Sequence, residues 1–306
     1  MSNVNESVER HAAHAVISPS SIARTSACPG SLKINREAGP QETPYTAEGT
    51  RAHMVAEFFA REALGLPNAV ELIDGKEVPM TFESIPDKTR DMILFGRDYA
   101  NFACMIRTRM EETSITPIEC DCERKVYCEP YIPECWGTSD LLMIGSDRIS
   151  IADYKYGANK VEVANNSQLK AYALGAYLGV QNTDPEKAKH IKKVETYIFQ
   201  PRAMVQNAAG KTEKGYFDRW EYTIDELFSW AEMIKPEIQK ALDGVDERMG
   251  GDHCIFCAAK GSCALSINFK KDYNAAADLA SDKEEAKQYT APKPENPALD
   301  IPLYTL

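Results

Sequence analysis

No run of apolar residues in this sequence approaches the roughly 20 that a membrane-spanning helix requires. Nor do residues Met1 to Arg10 carry the apolar stretch of a secretory leader. Both absences lead to the expectation of a cytoplasmic protein with no membrane partner. Positive charge is short as well: 35 Lys and Arg stand against 46 Asp and Glu, for a net charge of −11. A protein that coats nucleic acid by general attraction is therefore not expected. An enzyme with a local basic groove, and a metal to offset its carboxylates, is compatible with that balance. The lysines that gather, Lys187, Lys189, Lys192 and Lys193, and again Lys260, Lys270 and Lys271, read as solvated helix faces. No internal repeat is present.

The chain does have the means to build a core, with 306 residues and 43% apolar content. It also has nine cysteines, which in a cytosolic protein suggest metal binding before disulfides. Apolar spacing predicts helices over 46–63, 87–113, 167–179 and 224–242, and a helix start at Ser18 that Cys28-Pro29-Gly30 interrupts. Period-2 runs predict strands over 118–128, 137–145 and 148–156, another from Val194 to Gln200 closed by Pro201, and a short one at Trp220 to Tyr222. This order implies an α/β fold with a central mixed sheet flanked by helices. Residues 1–17 are expected to be flexible, and 272–306, polar and then rich in proline, to form a tail.

The chemistry concentrates in Trp136 to Lys155. Ser146-Asp147 suits a two-residue hairpin loop. Pairing Gly145 with Arg148 then sets Asp140 opposite Asp153, with Lys155 two residues on and on the same face. Leu142, Ile144, Ile149 and Ile151 fill the rest of that face. Two opposed carboxylates at the end of an apolar face repel each other and are costly to bury, and a divalent cation between them relieves both problems. Hard oxygen ligands suit Mg2+ or Mn2+. An Asp–Lys ion pair at a sheet end produces the same grouping, so the residues alone leave both readings open.

Asp140, followed by Asp153-Tyr154-Lys155, resembles the active-site pattern of the PD-(D/E)xK nucleases. Three further segments resemble the RecB-like branch. Glu48-Gly-Thr-Arg-Ala-His53 is similar to a motif whose histidine binds metal, and Glu57 shares the helical face of His53. Gln168-Leu-Lys-Ala-Tyr172 is similar to a motif on the helix after the catalytic hairpin. Cys28 with Cys254-Ile-Phe-Cys257 and Cys263 resembles the one-plus-three arrangement of branch members that carry a [4Fe-4S] cluster, such as AddB and the CRISPR adaptation exonucleases.

The resemblance implies a restriction-endonuclease-like core over 18–271, with an Fe-S clamp joining the N- and C-terminal segments. It implies His53, Asp140 and Asp153 as metal ligands, and Asp140, Asp153, Lys155, Gln168 and Tyr172 as catalytic residues. The activity implied is a Mg2+- or Mn2+-dependent deoxyribonuclease, an exonuclease on single strands or DNA ends. The setting implied is phage replication or recombination in a bacterial cytoplasm, with a recombination or helicase partner. Zn2+ is the alternative to the cluster. Cys120, Cys122, Cys128 and Cys135 read as ordinary thiols and Cys104 as core. Two other functions compete: a non-catalytic DNA-binding or assembly protein on the same fold, and a zinc-stapled enzyme acting on another phosphorylated substrate.

Overall fold

The computed structural model describes residues 15–39, 43–73, 76–206 and 212–270. They fall into two compact units, Met1–Arg248 and Met249–Leu306. The tail expected over 272–306 lies outside the described residues, as does 1–14 of the expected flexible N-terminus. Ile17, inside that expected segment, is fully buried and bridges to Cys135.

The first unit is a mixed α/β fold. Three short or medium helices open it: α1 (Ile22–Ala27), α2 (Ser31–Ala38) and α3 (Pro44–Leu64). Thr43 caps α3 through its hydroxyl, which accepts from Thr46 N–H, while Gly65 in the left-handed conformation ends it. A small hairpin follows, β1 (Val70–Ile73) and β2 (Lys76–Pro79), which the sequence pattern did not predict. Then come α4 (Arg90–Glu111), β3 (Glu119–Tyr127), β4 (Trp136–Ile144), β5 (Arg148–Tyr154), α5 (Ser167–Thr183), α6 (Pro185–His190), β6 (Lys193–Gln206), β7 (Thr212–Thr223) and α7 (Ile224–Leu242).

Strands β3 to β7 form one sheet in sequence order, antiparallel except for the parallel pair β5–β6. That pair needs a crossover, which α5 and α6 supply. Every residue of β5 is buried, the polar Arg148, Ser150 and Asp153 included, because the strand is covered on both faces. Cys122, Leu141, Met143, Ala152 and Tyr154 pack against α3 and α4 on one face. Leu142, Ile144, Ile149, Ile151 and Ile198 pack against α5 on the other. Truncating Ile149 or Ile151, both fully buried, should cost about 2–5 kcal/mol each. A third apolar cluster joins α1, α2, the outer side of α5 and α7.

Two strands differ from expectation. β6 does not stop at Pro201: it passes a register shift between Gln200 and Met204 and pairs on to Gln206. Proline is tolerated there because the irregular stretch asks no ladder hydrogen bond of it. β7 is correspondingly much longer than Trp220 to Tyr222. In the second unit, Asp252–Phe256 is a 3-10 helix and residues 264–270 are helical. Among the described residues no helix is long and apolar enough to cross a membrane.

Candidate active site

The hairpin between β4 and β5 has the register that its two-residue loop requires. Gly145 N–H donates to Arg148 carbonyl oxygen at 2.9 Å. Leu141 pairs with Ala152 and Ile144 with Ile149. One step further lie Asp140 and Asp153, where the ladder ends. There the Asp140 side chain substitutes for a backbone acceptor: its Oδ2 takes the N–H of Tyr154 at 2.7 Å.

The row continues into β3. Pairs flank it on both sides, Cys122 with Leu141 and Arg124 with Ser139, and Glu123 stands opposite Asp140. Glu123 has φ of 53°, in the left-handed region that a non-glycine residue rarely adopts. The consequence is visible in packing. Cys122 faces α3 and α4, whereas Val126, four positions on, faces α5. Positions an even number apart should share a face, so the pleat inverts between them. β4 inverts with it: Leu141 faces α3 and α4, but a Cβ on Gly137 would lie 3.2 Å from Tyr172 of α5 and only 2.5 Å from Pro19. Glycine is therefore required at 137. The inversion leaves Asp140 turned toward α3, and His53 of that helix meets it with Nδ1 3.4 Å from Oδ2.

His53, Glu123 and Asp140 offer ligand atoms that all lie within 4.8 Å of one another, a group able to hold a metal ion. An imidazole and two carboxylates suit Mn2+ or Mg2+. Glu57, on the same helical face as His53, does not join them, because it is ion-paired with Arg61 at 2.7 Å.

Asp153 sits beside this group but turns toward α5. Asn166 caps that helix by accepting the N–H groups of Gln168 and Leu169, which presents Gln168 to the strand end. Gln168 Nε2 donates to Asp153 Oδ1 at 3.0 Å and to the Tyr172 hydroxyl at 3.1 Å. Its Oε1 accepts from Lys155 Nζ at 3.0 Å. Lys155 Nζ is also 2.9 Å from Asp153 Oδ2. One amide thus ties together all three other side chains.

The electrostatics follow from burial and crowding. Burial pushes Asp153 above the usual carboxylate range, opposed by Lys155 and reinforced by Asp140. Burial together with the Asp140 and Glu57 charges raises Glu123 to about 7. Burial would lower His53, but the charge and hydrogen bond of Asp140 outweigh it and raise the imidazole to about 9. Asp140 moves the other way: burial would raise it, and His53, the Tyr154 N–H and Lys155 hold it low. Burial would lower Lys155, but Asp153 raises it.

Glu123 is absent from the residues that the sequence pointed to. The β3–β4 connection is long and holds Pro130 and Pro133, so no turn type fixed its register, as the two-residue loop did for β4–β5. Gln200 is a second such residue. It is fully buried and pins the loop that follows Lys155. Its Oε1 accepts Val161 N–H at 2.9 Å, and its Nε2 donates to the carbonyls of Gly157 at 2.8 Å and Asn159 at 2.6 Å.

The cysteines are divided between the units, and none of the nine is in a disulfide. Cys28 is buried at the end of α1. In the second unit, Cys254, Cys257 and Cys263 lie on consecutive tight turns, with Cys257 N–H bonded to Cys254 oxygen at 3.1 Å and Cys263 N–H to Ala259 oxygen at 2.8 Å. These three do not form a group with sulfurs all within 4.8 Å of one another. A single tetrahedral Zn2+ with bonds of about 2.3 Å would require such a group.

Comparison with known proteins places this chain. A solved structure titled "Crystal structure of SSO0001" aligns over 82% of this chain and 86% of its own, at 8% identity and a TM-score of 0.37. A family model described as "Protein of unknown function (DUF2800)" matches residues 14–293, nearly the whole length. The chain belongs to the DUF2800 family.

Proposed function

We propose that this protein is a metal-dependent deoxyribonuclease of the PD-(D/E)xK, RecB-like type, acting on single strands or DNA ends. The observation that carries the proposal is the linkage through Gln168, which joins Asp153, Lys155 and Tyr172 beside the His53–Glu123–Asp140 group. Side chains from α3, β3, β4, β5 and α5 meet at one end of the sheet. A structural ion pair would explain Asp153 and Lys155 but not this convergence.

His53, Glu123 and Asp140, with Asp153 adjacent, are the residues that would hold Mg2+ or Mn2+. Such an ion supplies Lewis-acid polarisation of the phosphodiester and a bound water of lowered pKa. The chain's own groups do the rest. Lys155 is kept protonated by Asp153, so its role is to stabilise charge developing on the phosphate rather than to act as a base. Gln168 fixes the Lys155 ammonium and the Asp153 carboxylate at once, and Tyr172 fixes Gln168. Gln200 holds the loop 157–161 against the strand end, which restrains the backbone on the far side of Lys155.

The test is cleavage of end-labelled single- and double-stranded DNA with Mg2+ or Mn2+, wild type against Asp153→Ala. Cleavage that the variant loses supports the reading. A wild-type protein that cleaves neither DNA form nor RNA with either metal removes it.

A [4Fe-4S] cluster on Cys28, Cys254, Cys257 and Cys263 is a separate proposal. What supports it is the spacing of the four cysteines along the sequence. Absorbance near 400 nm with stoichiometric iron and sulfide supports it; a colourless protein with stoichiometric zinc replaces it. The bacterial cytoplasmic setting, phage recombination and a helicase partner are further parts of the same reading.

A further inference from the structure

We propose that the β3–β4 ribbon beyond Glu123 is a binding track for single-stranded DNA, feeding the strand to the carboxylate row. The inference rests on the nuclease reading but is tested apart from it. Past the pair Arg124–Ser139 the two strands run on to Tyr127–Trp136, while β5 ends at Tyr154. The ribbon therefore projects about 13 Å beyond the row, at about 3.3 Å per residue.

Its two faces are assigned by the inverted pleat. Val126 and Gly137 turn toward α5. Lys125, Tyr127, Trp136 and Thr138, which alternate with them, turn to the opposite face, the side from which His53 approaches Asp140. That face carries a cation and rings together. Lys125 Nζ lies 4.4 Å from the Trp136 ring centroid. The Tyr127 and Trp136 centroids are 6.4 Å apart, and Tyr127 is 50% exposed. Arg124, which shares the parity of Val126, is exposed on the other face of the same strand.

The charge on this surface is cationic. In a chain of net charge −11, several lysines are paired with carboxylates: Lys187 with Glu119, Lys189 with Glu186, and Lys193 with Glu221. Arg124 and Lys125 form no ion pair among the described residues, although they directly follow Glu123. Unneutralised cations leading to a carboxylate row match a polyanion whose reacting phosphate must reach a metal. The exposed Tyr127 ring, with the half-buried Trp136 beside it, matches unpaired bases, which can stack where paired bases cannot. A duplex would use the cations alone.

The experiment is equilibrium binding of a fluorescent oligo-dT and of a blunt duplex to the full-length protein in EDTA, where no cleavage occurs. Lys125→Glu should weaken both, and neutralising this cation should lower the slope of log K against log salt by about 0.7 for the single strand. Tyr127→Leu keeps apolar bulk for folding and should weaken oligo-dT at least about fivefold while leaving the duplex unchanged. Lys189→Glu is the control and should leave both unchanged. The inference is overturned if oligo-dT does not bind the wild type, or if Lys125→Glu and Tyr127→Leu, folded as judged by circular dichroism, bind it as the wild type does. Wild-type binding that these variants lose, with no cleavage under any metal, would keep the track and reject the nuclease.

Discussion

The same central strands carry two buried carboxylate centres, and they are solved in opposite ways. Glu195 of β6 sits fully buried beside Ser150 of β5. Arg219 and Arg148 meet its Oε1 at 2.8 and 3.1 Å, Arg109 at 3.6 Å, Lys193 at 3.8 Å, and Tyr197 donates to its Oε2 at 2.9 Å. Burial would raise Glu195, yet Tyr197 and the three arginines hold it below the ordinary range. At the other end of β5, Glu123, Asp140 and Asp153 share His53 and Lys155, and two of the three carboxyls are pushed up. Glu195 is fully buried, whereas of the three acids only Asp153 is and Glu123 and Asp140 are half-buried; the supply of cations differs as well. A structural centre brings its own counter-charge, whereas a centre left short of it has a place for an ion from solution.

The largest expected contrast is in activity. Asp153→Ala should abolish metal-dependent cleavage of end-labelled DNA, and Lys155→Ala should lower it about 10²–10³-fold, with Glu195→Gln leaving the cleavage chemistry of the folded fraction intact. If Glu195→Gln also removes cleavage from folded protein, the two centres are not separate.

Stability should sort them the other way. Removing the Glu195 carboxylate by Glu195→Ala strands buried arginines and should cost about 3–5 kcal/mol in urea unfolding. Asp153→Asn, by contrast, relieves crowding among carboxylates and should leave the metal-free protein as stable as the wild type or more so. A large loss from Asp153→Asn would mean that the acid row is itself a self-sufficient structural centre.

Next is the support of the site. Gln168→Ala frees Lys155, Asp153 and Tyr172 from one another, and should reduce activity or Mn2+ affinity about 10–100-fold, measured by calorimetric titration and initial rates.

The smallest effect is in pH dependence. Glu123 and His53 are both raised in the folded protein, so both stabilise it in their protonated forms. That contribution is complete below their unfolded values and is lost as pH rises, through about 7 for Glu123 and about 9 for His53. The thermal midpoint of metal-free protein should therefore fall between pH 5 and 9, and Glu123→Gln should remove the part near 7. Mn2+ should flatten the wild-type curve, because the ion replaces the protons. A midpoint that rises over this range would contradict the crowded-carboxylate account.

Much of this site could be read in advance because local rules fix it. Ser146-Asp147 leaves one register for β4 and β5, which brings Asp140 level with Asp153 whatever else the chain does. Asn166 caps α5 two residues before Gln168, and Gln168 and Tyr172 are one turn apart on it. Other features depend on contacts distant in sequence. Glu123 joins the row only because β3 pairs with β4 across a long connection, and its left-handed backbone is held by packing on both faces. Gln200 follows from a β6 that continues past Pro201, which local propensity does not suggest.

By itself, then, the sequence determined the long helices α3, α4, α5 and α7, the strands β3 to β5, the β4–β5 register and the spacing of Asp153, Lys155, Gln168 and Tyr172, since these are set by turns, caps and periodicity within short stretches. Only the tertiary structure decided that Asp140 turns to His53 while Asp153 turns to Gln168, that Glu123 stands within reach of His53 and Asp140, and that Arg124 and Lys125 have no carboxylate partner among the described residues. Those outcomes depend on how the pleat inverts under α3 and α5, and a side chain's partner across a fold is chosen by packing rather than by its neighbours in the chain.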